Sequence, residues 1–439
     1  MLFSFLEVPC LFFEVFFKKL YLTLELLNKI WLKKNKKEVI EMAISQRAKE
    51  IQASPIRKLM PYAIAAKKRG IKVYHLNIGQ PDIETPEAMM NVYHNYSEKV
   101  LAYGPSQGLD EYRQSLVKYF DKFQISVNEE DIIVTTAGSE AIIFAMYVTC
   151  NPGDEIIVPE PFYTNYNGFA TMAGVKLVPL TTYAETGFAL PSREKIEALI
   201  TDKTKAFMFC NPGNPTGTVY SRQEMEMLGE IAQKNKIYLI SDEVYREFVY
   251  EGEKCVSVLE LKGCEDYAIV CDSISKRYSA CGARVGYIVS RNKELMTAIL
   301  KFAQARLCPP TVDQMAAAAC VDLPYSYTEQ ILEEYNKRRN IVFNELQKIN
   351  DVVCVKPRGA FYIIAKLPIE DAEDFIIWLL ENYQVDNETV MAAPAEGFYA
   401  TPGLGRNELR LAYILNEDDL RKAMNIFISG LNEYKKIKG

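Results

Sequence analysis

The stretch Ser273-Ile274-Ser275-Lys276-Arg277-Tyr278-Ser279-Ala280-Cys281-Gly282-Ala283-Arg284 decides how the chain is read. It follows a strand-like run, Ala268-Ile269-Val270-Cys271. Hydroxyls stand one and three positions before the lysine, and an arginine stands eight positions after it. A lysine beyond a strand end can form a Schiff base with an aldehyde when its site depresses the ammonium pKa. Ser273, Ser275 and Arg284 can hold a phosphate beside it. Together these are what pyridoxal 5'-phosphate (PLP) requires. Alone, Ser-x-Ser-Lys equally describes a surface lysine in a loop, so the reading rests on the rest of the chain.

Outward from this stretch, short β-branched runs alternate with longer amphipathic segments, the pattern of an α/β fold with a mainly parallel sheet. The runs are Asp131-Ile132-Ile133-Val134-Thr135, Glu155-Ile156-Ile157-Val158, Ala206-Phe207-Met208-Phe209, Ile237-Tyr238-Leu239-Ile240, Ala268-Ile269-Val270 and Gly286-Tyr287-Ile288-Val289. Polar or Gly/Pro-rich sequence follows each of the first five. Ligands of open α/β sheets sit beyond the carboxyl ends of the strands, and the chemistry-bearing motifs fall there.

Thr136-Ala137-Gly138-Ser139-Glu140-Ala141 follows one strand and opens an apolar helix, Ile142 to Val148. The backbone N–H groups of Gly138, Ser139 and Glu140 at a helix start suit a phosphate, although an ordinary N-cap has the same look. Asn211-Pro212-Gly213-Asn214-Pro215-Thr216-Gly217 is a rigid turn able to aim the Asn214 amide at a phenolate oxygen. In Ser241-Asp242-Glu243-Val244-Tyr245, an ionised Asp242 would keep a pyridine nitrogen protonated, and Tyr245 would share the phenolate with Asn214. A helix N-cap is the plain alternative for Asp242.

The chain has 439 residues, 49% hydrophobic, enough for a large core and two domains. A net charge of −6 argues against a nucleic-acid face. Ten scattered cysteines and only two histidines, His75 and His94, argue against a metal site or a disulfide framework and fit a reducing cytoplasm. Residues 1–41 differ: a Phe/Leu-rich stretch precedes the basic run Lys33-Lys34-Asn35-Lys36-Lys37. The charge order is the reverse of a signal peptide. Lys18 and Lys19 also cut the first apolar stretch short of the ~20 residues needed to span a bilayer. A helix lying on a membrane surface is the alternative, and a membrane contact is the less favoured reading. Met42 reads as a natural start, and the residues before it as an extension outside the fold.

The order Gly-Ser-Glu, Asn-Pro-x-Asn-Pro-Thr-Gly, Asp-x-x-Tyr, Ser-x-Ser-Lys, then Arg resembles the class I/II aminotransferases of PLP fold type I, from about Ser45 to the C-terminus. The resemblance implies a large domain over residues 85–322, with a mainly parallel seven-stranded sheet between helices. A smaller α+β domain would be built from both chain ends, residues 42–84 and 323–439, the latter entered by a helix from about Tyr325 to Leu346. It implies that the Gly79 region of Leu76-Asn77-Ile78-Gly79-Gln80-Pro81-Asp82 contacts the substrate carboxylate and that Tyr163 stacks on the pyridine ring. Tyr103 would reach the phosphate of a neighbouring subunit, hence a homodimer, and Arg410 would clamp the α-carboxylate of the substrate. The loop departs from the family pattern at Cys281 and Ala283, and Ser139 stands where many relatives acting on aspartate carry lysine.

The implied activity is ping-pong transfer of an amino group between an L-amino acid and a 2-oxo acid. Lys276 would serve as general base and acid, and aspartate and glutamate are the favoured donors. An aromatic or alanine-type aminotransferase, or a β-lyase on cysteine conjugates, would use the same constellation. Pyruvate release without a 2-oxo acid acceptor would mark the lyase. A PLP-binding transcription regulator would need a basic winged helix that the first 41 residues do not supply. Arg57, in Ser54-Pro55-Ile56-Arg57-Lys58, is either a reader of a distal carboxylate or a solvated surface charge.

Overall fold

The computed structural model describes residues 10–34 and 44–438. It comprises two units, residues 1–50 and residues 51–439. The first contributes the helices Cys10–Lys34 and Gln46–Glu50. Along the longer one, Phe16, Tyr21 and Leu26 are exposed. No helix among the described residues is long and apolar enough to cross a membrane. The proposed start at Met42 and residues 35–37 of the basic run lie outside the described residues.

The second unit contains twelve strands: β1 (Lys72–His75), β2 (Ile132–Thr136), β3 (Glu155–Glu160), β4 (Lys176–Thr181), β5 (Thr204–Cys210), β6 (Tyr238–Asp242), β7 (Ala268–Ser273), β8 (Val285–Val289), β9 (Tyr362–Lys366), β10 (Glu388–Met391), β11 (Ala393–Pro394) and β12 (Glu408–Ala412). Seven of them form one sheet in the order β2-β8-β7-β6-β5-β3-β4. Only β8 runs antiparallel to its neighbours, pairing Thr136 with Val285 on one side and Ser273 with Gly286 on the other. The sheet is buried on both faces, as parallel sheets are. Ile132, Val134, Ile157, Phe207, Leu239 and Val270 enter one core, while Ile133, Ile156, Met208, Ile240 and Ile269 enter the other. This period of two is what the β-branched runs encode.

A separate core brings Leu59, Val73 and Leu76 together with Val342, Phe375, Leu411 and Phe427. Here β1 pairs in parallel with β10, and β11, β12 and β9 form an antiparallel sheet. The helix Tyr325–Leu346 has the predicted bounds, with Pro324 at its N-cap.

Some elements differ from expectation. The apolar helix starts earlier, as Ala137–Thr149, taking in the motif before Ile142. The helix Thr311–Ala318 and strand β4 were not anticipated. β4 lies at the sheet edge and contains Pro179, a residue tolerated there but one that blurs a strand pattern.

Candidate active site

The carboxyl ends of β2, β5, β6 and β7 open on one cavity of about 420 Å³, and β9 and β12 contribute from the smaller sheets. Lys276, in the short helix Ile274–Arg277 after β7, points its Nζ at the Gly79 carbonyl (2.7 Å) and lies 3.6 Å from the Cys281 thiol. The segment is fixed from behind. Arg277 donates to Glu247 (2.5 Å) and Asp272 (2.7 Å), all three buried.

One end of the cavity is built for an anion. The helix Ala137–Thr149 begins there, and Gly138 and Ser139 line the wall with Ser273, Ser275 and Arg284. A first helical turn leaves its N–H groups without intrahelical acceptors. Ala137 and Arg284 are non-glycine residues with left-handed backbone, φ 63° and 55°, a strain typical of functional sites. Gly286 lets β8 pass under this turn, since a Cβ there would lie 2.4 Å from the Ala137 carbonyl carbon. The Glu140 side chain turns elsewhere, pairing with Arg306 at 3.1 Å and accepting from the Thr136 N–H at 2.7 Å. Only its backbone is left for the expected role.

Asp242 ends β6 and is the single carboxylate in the cavity lining. Burial pushes its carboxyl up to about 6, opposed by hydrogen bonds from Tyr166 (2.8 Å) and the Val244 N–H. Asn214 accepts from Arg410 through Oδ1 (3.1 Å). Tyr163 lines the cavity, its hydroxyl accepting from Asn165 (2.7 Å), and burial raises its phenol to about 12.

Arg410, on β12, is buried, and no carboxylate partners it. Its Nη2 donates to the Asn77 carbonyl at 2.5 Å and its Nε has no partner. The guanidinium lies 4.5 Å from the Tyr362 ring centroid and 5.0 Å from that of Phe398. Burial lowers its pKa, because desolvation disfavours the charged form.

Of the residues singled out in sequence, Gly79, Gly138, Ser139, Tyr163, Asn214, Asp242, Tyr245, Ser273, Ser275, Lys276, Arg284 and Arg410 border this one cavity, as does Arg57. Tyr103 does not: it is 82% exposed on the surface of its own chain. Sequence reasoning passed over three residues. Tyr166 holds Asp242, and its place one helical turn after Tyr163 was the available signal. Tyr362 hydrogen-bonds Tyr245 (2.9 Å) and underlies Arg410. Asn77 carries the carbonyl that fixes Arg410, and nothing in its residue type announced that.

The donor set fits PLP: an anion end at a helix start, a buried carboxylate, an amine, and a buried guanidinium with an unpaired N–H. The cavity also has the size of a cofactor site. Among the described residues no cluster is suited to a metal ion.

The fold and site are those of an aminotransferase. The sequence model of the family "Aminotransferase class I and II" matches residues 71–427, and the chain belongs to that family, whose cofactor is PLP. It is 33% identical over 377 residues to an aspartate aminotransferase of Sulfurisphaera tokodaii, covering 83% of this chain and 92% of that one. Among solved structures, an alanine aminotransferase from Pyrococcus furiosus superposes with a TM-score of 0.80 at 33% identity, covering 89% of this chain and all of the other. The aspartate aminotransferase of Thermotoga maritima gives 0.81 at 30% identity, with 89% and 100% covered.

Proposed function

We propose that this aminotransferase moves the amino group between L-aspartate or L-glutamate and a 2-oxo acid, as a cytoplasmic homodimer. Its large domain would span residues 85–322 and its small domain residues 42–84 and 323–439. The observation that carries the assignment of roles is Arg410, a buried guanidinium without a carboxylate partner in the same cavity as the Lys276 amine. The names of the relatives favour aspartate.

When bound, PLP supplies an aldehyde for amines and a ring that accepts the electron pair released at the substrate Cα. Lys276, whose amine lies in the cavity, would hold the cofactor through its aldehyde and would serve as the base and acid for the Cα proton through Nζ. The Gly138–Glu140 N–H groups, Ser273, Ser275 and Arg284 would hold the phosphate, with Tyr103 of a second subunit. Asp242 would keep the pyridine nitrogen protonated, a partner that would favour its own ionised form. Tyr163 would cover the ring face, and Asn214 through Nδ2, with Tyr245, would donate to the phenolate. Arg410 forks onto the α-carboxylate beside Gly79 and so orients the Cα–H bond.

The test is an absorbance spectrum of the purified protein before and after L-aspartate, beside Lys276→Ala. The band near the visible edge should move to shorter wavelength with aspartate and return with 2-oxoglutarate. Lys276→Ala should lose both the band and the cycling. A band that answers only to another amino acid would replace the substrate. Absence of any chromophore after adding PLP would refute the roles assigned here.

A further inference from the structure

We infer that Arg57 reads the second carboxylate of a dicarboxylic substrate, and that Asn77 sets its position relative to Arg410. The inference rests on the aminotransferase reading of the cavity. Four cations line that cavity, Arg57, Lys276, Arg284 and Arg410, against one carboxylate, Asp242. The phosphate, the cofactor aldehyde and the substrate α-carboxylate employ three of them. Arg57 alone is left without a counterpart.

The charge of Arg57 is free to serve. Its neighbour Lys58 is paired with Glu373 at 2.5 Å, whereas Arg57 makes no ion pair among the described residues. Its backbone, by contrast, is anchored. The Arg57 N–H donates to the Ser54 carbonyl at 3.1 Å, and the adjacent Ile56 carbonyl accepts from Asn77 Nδ2 at 3.3 Å. Asn77 is fully buried, and its amide oxygen lies 3.2 Å from His75 Nδ1. The backbone carbonyl of the same residue accepts from Arg410. One buried asparagine therefore ties the root of Arg57 to the guanidinium of Arg410, while the exposed Arg57 side chain keeps its reach.

A guanidinium forks onto a carboxylate, but beside a neutral substrate side chain an exposed arginine simply stays hydrated. Arg57 thus favours dicarboxylates without excluding neutral amino acids. Because the distal carboxylate does not change during the reaction, the contribution falls on KM rather than kcat.

The experiment compares the PLP-loaded protein with Arg57→Gln and Arg57→Lys. L-aspartate and L-glutamate are set against L-alanine and L-phenylalanine, and calorimetric binding of succinate against butyrate. Arg57→Gln should raise KM for both dicarboxylates on the order of 10- to 100-fold and weaken succinate alike. It should leave kcat, the neutral amino acids and butyrate unchanged, while Arg57→Lys keeps part of the preference. Equal losses on all substrates, or none, would overturn the inference. If the parent protein transfers no amino group at all, the aminotransferase reading fails separately, and the succinate–butyrate contrast still decides for or against Arg57.

Discussion

Tyr166 donates a 2.8 Å hydrogen bond to Oδ2 of Asp242, and both side chains are buried at the end of β6. The bond softens, without cancelling, the effect of burial, which lifts the carboxyl from 3.8 to about 6. In the cofactor-free protein this is a liability with a defined sign. Between the two values the folded chain binds the extra proton, so stability falls as pH rises through that window and the full penalty is present above it. A rise of that size corresponds to about 3 kcal/mol. We predict that cofactor-free Asp242→Asn is more stable than the parent at mildly alkaline pH by up to about that amount. The advantage should vanish below pH ~4, and the variant should hold PLP more weakly. Urea unfolding across pH reads it. A pH-independent difference would remove Asp242 from the account.

Arg410→Lys keeps a positive charge but loses the planar fork and the contacts to Asn214 and Asn77. The predicted loss in kcat/KM is about 10- to 100-fold, equal for dicarboxylic and neutral amino acids. A loss confined to dicarboxylates would move the α-carboxylate to another group.

Tyr103 is exposed on its own chain and does not line the cavity, so the phosphate contact proposed for it requires a second subunit. Tyr103→Ala and Lys276→Ala should each be inactive. Co-refolded in equal amounts, they should regain about a quarter of the parental activity, because each mixed two-fold dimer rebuilds one intact site. No regain would show that Tyr103 acts elsewhere or that no dimer forms.

Gly79 cannot carry a side chain at its present place. A Cβ would stand 1.8 Å from Tyr362 Oη and 2.4 Å from Cζ. Gly79→Ala must displace a ring that hydrogen-bonds Tyr245 and underlies Arg410. We predict a loss of about 1–3 kcal/mol in stability and a raised KM. Gly79→Ala/Tyr362→Ala should show positive coupling, less destabilised than the sum of the single variants. Strict additivity in thermal unfolding would mean that the two residues do not touch.

Much of this architecture is legible in the sequence, and the omissions have physical causes. The central strands were found from their β-branched runs but cut short, because β6 and β7 continue through Asp242 and Ser273. Polar residues of the candidate site thus occupy the last pairing positions and disguise the strand ends. Lys276, Asp242, Asn214 and Arg284 are legible because their residue types are rare in that order. Tyr166 and Tyr362 are two among 27 tyrosines, and only packing tells a hydrogen-bonding phenol from a core ring. Arg57 was visible as a charge near the site. Its bond to the rest through Asn77 spans Ile56 and Arg410, which sequence alone cannot bring together.

The single antiparallel strand of the large sheet has a consequence for how the site is assembled. Because β8 returns directly beside β7, Lys276 and Arg284 hang from one short connection between neighbouring strands. The contacts of Arg410 close over far longer stretches, 196 positions to Asn214 and 333 to Asn77. Short loops close at lower entropic cost and sooner than long ones. On the roles proposed above, the residues assigned to the cofactor, up to Arg284, are therefore synthesised well before Arg410, the one assigned to the substrate. A chain arrested before residue 408 would carry the residues assigned to the cofactor and lack the one assigned to the substrate carboxylate.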